Sequence, residues 1–210
     1  MRKRQMLYNW GVNNADYSVT KTGYVNGKRK IIWMCPIYKD WCSILERCFC
    51  IKTQTKRPTY MNCTICEEWK YFMNFRDWVL NVQPNENWQN CEPDKDVLYV
   101  GNKIYSPDTV IYVSSDVNKF PTTRENYRGD LFIGVSPVVS RKNPFQASCS
   151  NPFTSKLEYI GVFSTELEAH KAWQAKKHEH ALRLAEEQED PRVAKALRER
   201  YAPDKDWTNK

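Results

Sequence analysis

Two stretches near the start of the chain carry large apolar side chains at helical spacing, and they limit the possible folds more than any other feature. Between Pro36 and Cys50 these are Tyr38, Trp41, Leu45 and Phe49, with Cys42 and Cys48 beside them. Between Glu67 and Val82 they are Trp69, Phe72, Phe75, Trp78, Val79 and Val82. Residues three and four apart share one helix face, so each stretch predicts a helix whose stripe is buried in a core. The second stripe reads as core rather than as a base-stacking surface. The polar, basic segment from Lys52 to Pro58 predicts a loop between them. Aromatic residues make up 13% of the 210-residue chain, which excludes a disordered one. That length suggests one or two domains with a sizeable core. No apolar run approaches the roughly 20 residues of a membrane span.

A second constraint lies at Glu92–Val113. Val97, Leu98, Tyr99 and Val100 predict a strand. Gly101-Asn102 predicts a turn, Ser106-Pro107-Asp108 a second turn, and Val110 to Val113 a returning strand. Asp94, Asp96, Asn102 and Asp108 gather hard oxygen donors at the strand ends and in the loop, the kind that hold Mg²⁺ or a related cation. A hairpin with solvated turn acids is the alternative, because turns use Asp and Asn for backbone reasons. Ser114 to Asn118 predicts a short helix.

A polar segment, Pro121 to Asn126, predicts a domain boundary. Three strands are expected after it, over Ile133–Ser136, Phe145–Cys149 and Glu158–Phe163. A long helix follows, in which Thr165 as N-cap and Glu168 three residues on form a capping box. Arg192 to Tyr201 predicts a last short helix, and the mixed charges from Lys176 onward predict an exposed face or an oligomerisation helix.

The formal charge is +7. Residues 1–30 hold seven cations (Arg2, Lys3, Arg4, Lys21, Lys28, Arg29 and Lys30) against one acid, Asp16. Such an arm is either a solvated terminus or a segment that tracks phosphates. Val25-Asn26-Gly27-Lys28 predicts a hairpin turn between Tyr24 and Ile31-Ile32-Trp33. No signal-peptide pattern follows the basic start, so a cytoplasmic location is expected. The eight cysteines are then expected as free thiols or metal ligands. Cys63-Thr64-Ile65-Cys66 has zinc spacing, but no second such pair exists, which makes zinc a weak expectation. His170, His178 and His180 lack the spacing of a zinc pair and predict solvated helix residues.

The combination Arg128-Gly129, Gly134-Val135, Phe145-Gln146-Ala147, Glu158-Tyr159-Ile160-Gly161-Val162-Phe163-Ser164-Thr165, Glu168-Ala169 and Ala172-Trp173 resembles the plant ethylene-response-factor type of DNA-binding domain, over roughly residues 127–182. The resemblance implies a three-stranded antiparallel sheet packed on one helix, with the outer sheet face in the major groove. Arg128, Arg141, Lys142, Gln146, Ser148 and Lys156 are its candidate contacts. Upstream, Trp41 with Leu45-Glu46-Arg47-Cys48, Arg57-Pro58-Thr59-Tyr60, Glu68-Trp69 through Trp78, Asp94-Lys95-Asp96 and Gly101-Asn102-Lys103-Ile104-Tyr105-Ser106-Pro107-Asp108-Thr109 resemble phage-encoded HNH-type homing endonucleases that carry such a sheet domain. That resemblance implies a ββα-metal module in which one divalent ion, Mg²⁺ or Mn²⁺, is held by acids or an amide, a His activates water, and an Asn fixes the loop.

Here Lys95 stands where the His is expected, and every His lies on the C-terminal helix. An ammonium is a poor base at neutral pH unless burial lowers its pKa. The reading is therefore an α+β protein in four parts. Residues 1–30 form a basic arm, 31–120 a ββα-metal-like module, 127–182 a sheet-plus-helix DNA-binding module, and 183–210 a charged helical tail. Asp94, Lys95, Asp96 and Asn102 are the candidate catalytic residues, and Asp94, Asp96, Asn102 and Asp108 the candidate metal ligands. Arg57 and Lys103 join the DNA contacts. The expected activity is metal-dependent cleavage of double-stranded DNA in an infected bacterial host. The alternative is a catalytically inactive DNA-binding protein, or one that antagonises a host system, with a second copy or a host protein as a further partner.

Overall fold

A computed structural model describes residues 6–121, 130–139 and 142–207. The chain divides into two compact units, Met1–Val113 and Ser114–Lys210.

In the first unit, β1 (Met6–Leu7) and β2 (Gly11–Val12) form a small antiparallel pair. Next come the antiparallel strands β3 (Thr20–Val25) and β4 (Lys28–Met34), then α1 (Pro36–Phe49). The predicted hairpin turn is present, with Asn26 at φ 51° and Gly27 at φ 72°. Two successive positive φ angles are what a two-residue hairpin of right-handed twist requires. The segment Lys52 to Pro58 is not a loop: Ile51–Lys56 forms α2. Gln54 explains why, since its Nε2 donates to the carbonyls of Arg47 and Cys48 that α1 leaves open at its end. The expected helix over Glu67–Val82 is divided. A 3₁₀ turn, Glu67–Lys70, precedes α3 (Phe72–Asn81), and Tyr71 between them is extended at φ −96°, ψ 123°.

The stripes of α1 and α3 meet as predicted. Trp41, Ile44, Leu45, Trp69, Phe72 and Phe75 are buried, whereas Phe49 and Val82 at the stripe ends are exposed. Trp41 Nε1 donates to the Trp69 carbonyl at 2.7 Å, so the largest side chain of α1 also satisfies the broken helix. Residues 6–19 are built into this core rather than frayed. Val19 is buried, and Gly11 lies so close to Leu45 and Trp41 that a Cβ there would overlap them.

The remaining strands differ from the expected hairpin. Strand β6 is Glu92–Asp94, and Val97–Val100 bends instead of extending. Asp94 turns the chain, its Oδ1 accepting the amides of both Asp96 and Val97 at 2.7 Å. The partner of β6 is β8 (Ile111–Val113), antiparallel. Between them, β7 (Ile104–Tyr105) pairs in parallel with β5 (Thr64–Ile65), which fastens the loop to the segment after α2.

The second unit opens with α4 (Ser115–Lys119), capped by Ser114. Its sheet has the order β11 (Leu157–Phe163), β10 (Phe145–Ser150), β9 (Val135–Pro137), all antiparallel. This confirms the three strands, with the first displaced toward Pro137. The long helix is α5 (Glu166–Glu186), and its Thr165–Glu168 capping box is formed in both directions. Ala147 and Cys149 of the sheet and Ala169, Trp173, Ala181 and Ala185 of α5 are buried. The charged tail folds back as α6 (Pro191–Arg200), burying Val193, Ala194 and Leu197. His170 and His180 correct the expectation of solvated residues: each is about 1% exposed. The first holds the Ile133 carbonyl at 2.9 Å and the second the Glu158 carboxylate at 3.0 Å. No helix among the described residues is long and apolar enough to cross a membrane.

Candidate nucleic-acid interface and the Asp94 loop

The β3–β4 ribbon is the most basic regular structure among the described residues. It carries Lys21, Lys28, Arg29 and Lys30 and no acid. Opposite residues of an antiparallel pair share a face. Lys21 opposes Trp33, Gly23 opposes Lys30, and Val25 opposes Lys28, so three lysines and an indole line one side. Tyr24, opposite Arg29, lies on the other. The ribbon is open to solvent on both sides: Tyr24 is 79% exposed, Ile32 60% and Trp33 43%. Lys21 Nζ sits 5.4 Å from the Trp33 ring, and Arg29 donates to Thr22 Oγ1 across the strands. These contacts hold the cations near the ribbon without neutralising them.

The outer face of the three-stranded sheet is less charged. Gln146 lies in a cross-strand row between Ser136 and Val162, and Tyr159, 64% exposed, stands opposite Ser148. Lys142 and Lys156 are exposed before β10 and β11. Arg128 and Arg141 lie outside the described residues, as do Arg2, Lys3, Arg4 and most of the Pro121–Asn126 boundary.

The structure brings Asp94, Lys95, Asp96 and Asn102 together and turns Lys95 inward. Lys95 is only 3% exposed. Its Nζ donates to Asp96 Oδ2 at 2.7 Å and to the Asn102 carbonyl, and lies 5.9 Å from the Tyr105 ring. Asn102 Nδ2 donates to the carbonyls of Lys95 and Ile104, and its Oδ1 accepts the Ile104 amide. Burial raises the Asp94 carboxyl above its ordinary value, and the two amides it accepts oppose that rise. Lys103 Nζ is spent on the Thr59 carbonyl at 2.7 Å. Arg57, at the end of α2, is exposed. Asp108 is exposed in the turn that Thr109 Oγ1 closes onto the Ile104 carbonyl.

Part of this donor set is already engaged within the protein. One Asp94 oxygen holds two amides, the Asn102 oxygen holds one, and an ammonium already sits against Asp96. Among the described residues no three His, Cys, Asp or Glu side chains are grouped to hold a metal. Cys63 is buried, and burial raises the Cys66 thiol to about 11.

Asn102→Ala removes three bonds across the loop. It is expected to cost about 2 kcal/mol, from roughly 1 kcal/mol per bond less a discount for exposure. Urea unfolding measures this, and an unchanged midpoint would contradict the clamp.

Compared with protein families, curated proteins and solved structures, the chain matches none. The ribbon was legible in Asn26-Gly27 and the cations around it. The inward turn of Lys95 was not, because nothing local marks a lysine that will be caged by residues of the following loop.

Proposed function

We propose that this protein binds double-stranded DNA and that Lys95 braces its loop instead of performing chemistry. The observation that supports the reading is the β3–β4 ribbon: four cations, no acid, and exposed aromatic side chains on a two-stranded element. A two-stranded ribbon fits the major groove, and exposed cations on an element without acids are free to replace the counterions of phosphates. The sheet of the second unit offers a further outward face with Gln146 and flanking lysines. Lys95 belongs to the brace because its ammonium is held by one carboxylate and one carbonyl and is closed from solvent. The test is anisotropy with a labelled duplex of about 30 base pairs in EDTA, titrated with salt. Affinity should fall steeply as salt rises. Affinity indifferent to salt would remove the reading.

The second reading is phosphodiester cleavage with Mg²⁺ or Mn²⁺. It is favoured by the Asn102 clamp, which is the loop-fixing role the resemblance gives an asparagine. The occupied oxygens of Asp94 and Asp96 weigh against it. Supercoiled plasmid separates the two. We expect shifted but uncut DNA with either ion. Nicked or linear product that disappears in Asp94→Ala and Lys95→Ala would establish cleavage and displace the brace.

A further inference from the structure

A groove of about 480 Å³ opens inside the second unit, between α4, the end of β10 with the loop after it, α5 and Tyr201 at the end of α6. Its volume lies within the usual range for small-molecule sites. Phe120, Trp173 and Tyr201 supply aromatic walls, and Gly134 and Ser148 line the sheet side. One cation stands inside it. Lys177 is 8% exposed, with Nζ 3.8 Å from the Phe120 ring centroid and 5.5 Å from that of Tyr201.

Buried ammonium groups are normally paired with a carboxylate or fully hydrogen-bonded. Among the described residues, the groups that face Lys177 Nζ are the Phe120 and Tyr201 rings and not a carboxylate. Burial accordingly pushes its pKa down to about 8; Cys149 opposes the fall and Arg200 adds to it. Tyr201 forms part of the wall with its ring, and among the described residues none bonds its hydroxyl, which is closed from solvent. The rim residues Asp116 and Lys119 are exposed and of opposite sign, and among the described lining residues Lys177 is the one buried charge.

We propose that this groove binds a small organic carboxylate with a flat apolar body. The carboxylate would pair with Lys177, while the apolar body lies against Trp173 and Phe120. A single carboxylate matches the single interior charge; a phosphate dianion would leave a net negative charge among aromatic rings.

The test uses the full chain and 2-naphthoate, with uncharged 2-naphthamide as its isostere. Binding is read by tryptophan fluorescence and calorimetry. The acid should bind saturably and at least tenfold more tightly than the amide. Bound acid should protect Lys177 from reductive methylation, read by peptide mass spectrometry. Lys177→Met, which keeps the aliphatic stem, should abolish the preference for the acid. Equal binding of acid and amide, no saturation up to millimolar ligand, or binding without protection of Lys177 would each overturn the proposal. The acid–amide comparison and the protection assay need only the unmodified chain, so they decide the matter even where Lys177→Met fails to fold.

Discussion

Replacing Lys21, Lys28, Arg29 and Lys30 together by glutamine is expected to weaken duplex binding by on the order of a thousandfold at about 0.1 M monovalent salt. Each lysine or arginine that neutralises a phosphate releases a counterion and contributes roughly 0.9 to the slope of log affinity against log salt. Four such contacts account for a slope change of about 3.6, and the affinity loss follows from it. The ribbon suits this experiment because its cations take no part in the core: all four are exposed, and Lys21 and Arg29 touch only Trp33 and Thr22 within the ribbon. Fold should survive, and the far-ultraviolet spectrum is the control. Anisotropy at four or more salt concentrations gives the slope. A variant that keeps both the wild-type slope and affinity would show that the ribbon does not meet phosphate.

Gly134→Ala is expected to destabilise the second unit by about 3–5 kcal/mol, combining a backbone penalty with overlap in a packed core. Gly134 has φ +81°, and a Cβ built there falls 2.0 Å from Trp173 Cγ. The Trp173 ring has little room to withdraw. It is 5% exposed, stacks on His170 with centroids 5.5 Å apart, and meets Tyr201 edge-on. The Gly134 carbonyl accepts the Ser148 amide, so the backbone is held as well. For a unit of this size, the change corresponds to a fall in its Tm of roughly 15–30 °C. Gly27→Ala is the comparison. Gly27 is also at positive φ, +72°, but a Cβ there meets nothing within 4 Å. It should cost only about 1–2 kcal/mol. Equal melting of the two variants would mean that Trp173 does not crowd Gly134.

Which features were legible depended on whether their cause was local. The stripes of α1 and α3, the Asn26-Gly27 turn, the short helix after Ser114 and the Thr165–Glu168 box all arise from residues within one turn of each other, and all are present. Val97–Val100 has strand composition but follows an aspartate that takes two successive amides, and a side-chain bond outweighed β-propensity there. The fold-back of α6 was hidden for a different reason. Its apolar residues are few and surrounded by charge, and only contact with α5 makes Val193, Ala194 and Leu197 a buried face. The candidate site divides in the same way. The oxygen-rich cluster was visible as composition, whereas its consumption in internal bonds depends on Asn102 and Lys95 meeting across seven residues.

The bonds that close the first unit span long stretches of chain. Tyr112 donates to Asp40 across 72 residues, Met73 to Asn14 across 59, and Thr64 pairs with Ile104. The second unit gains much of its core from α5 and α6, joined by a short turn. Closing long loops before any contact repays the entropy slows folding, whereas neighbouring helices assemble quickly. Refolding from denaturant should therefore show more than one phase, with the α5–α6 pair forming early and the tryptophan-rich unit completing later as its distant segments meet.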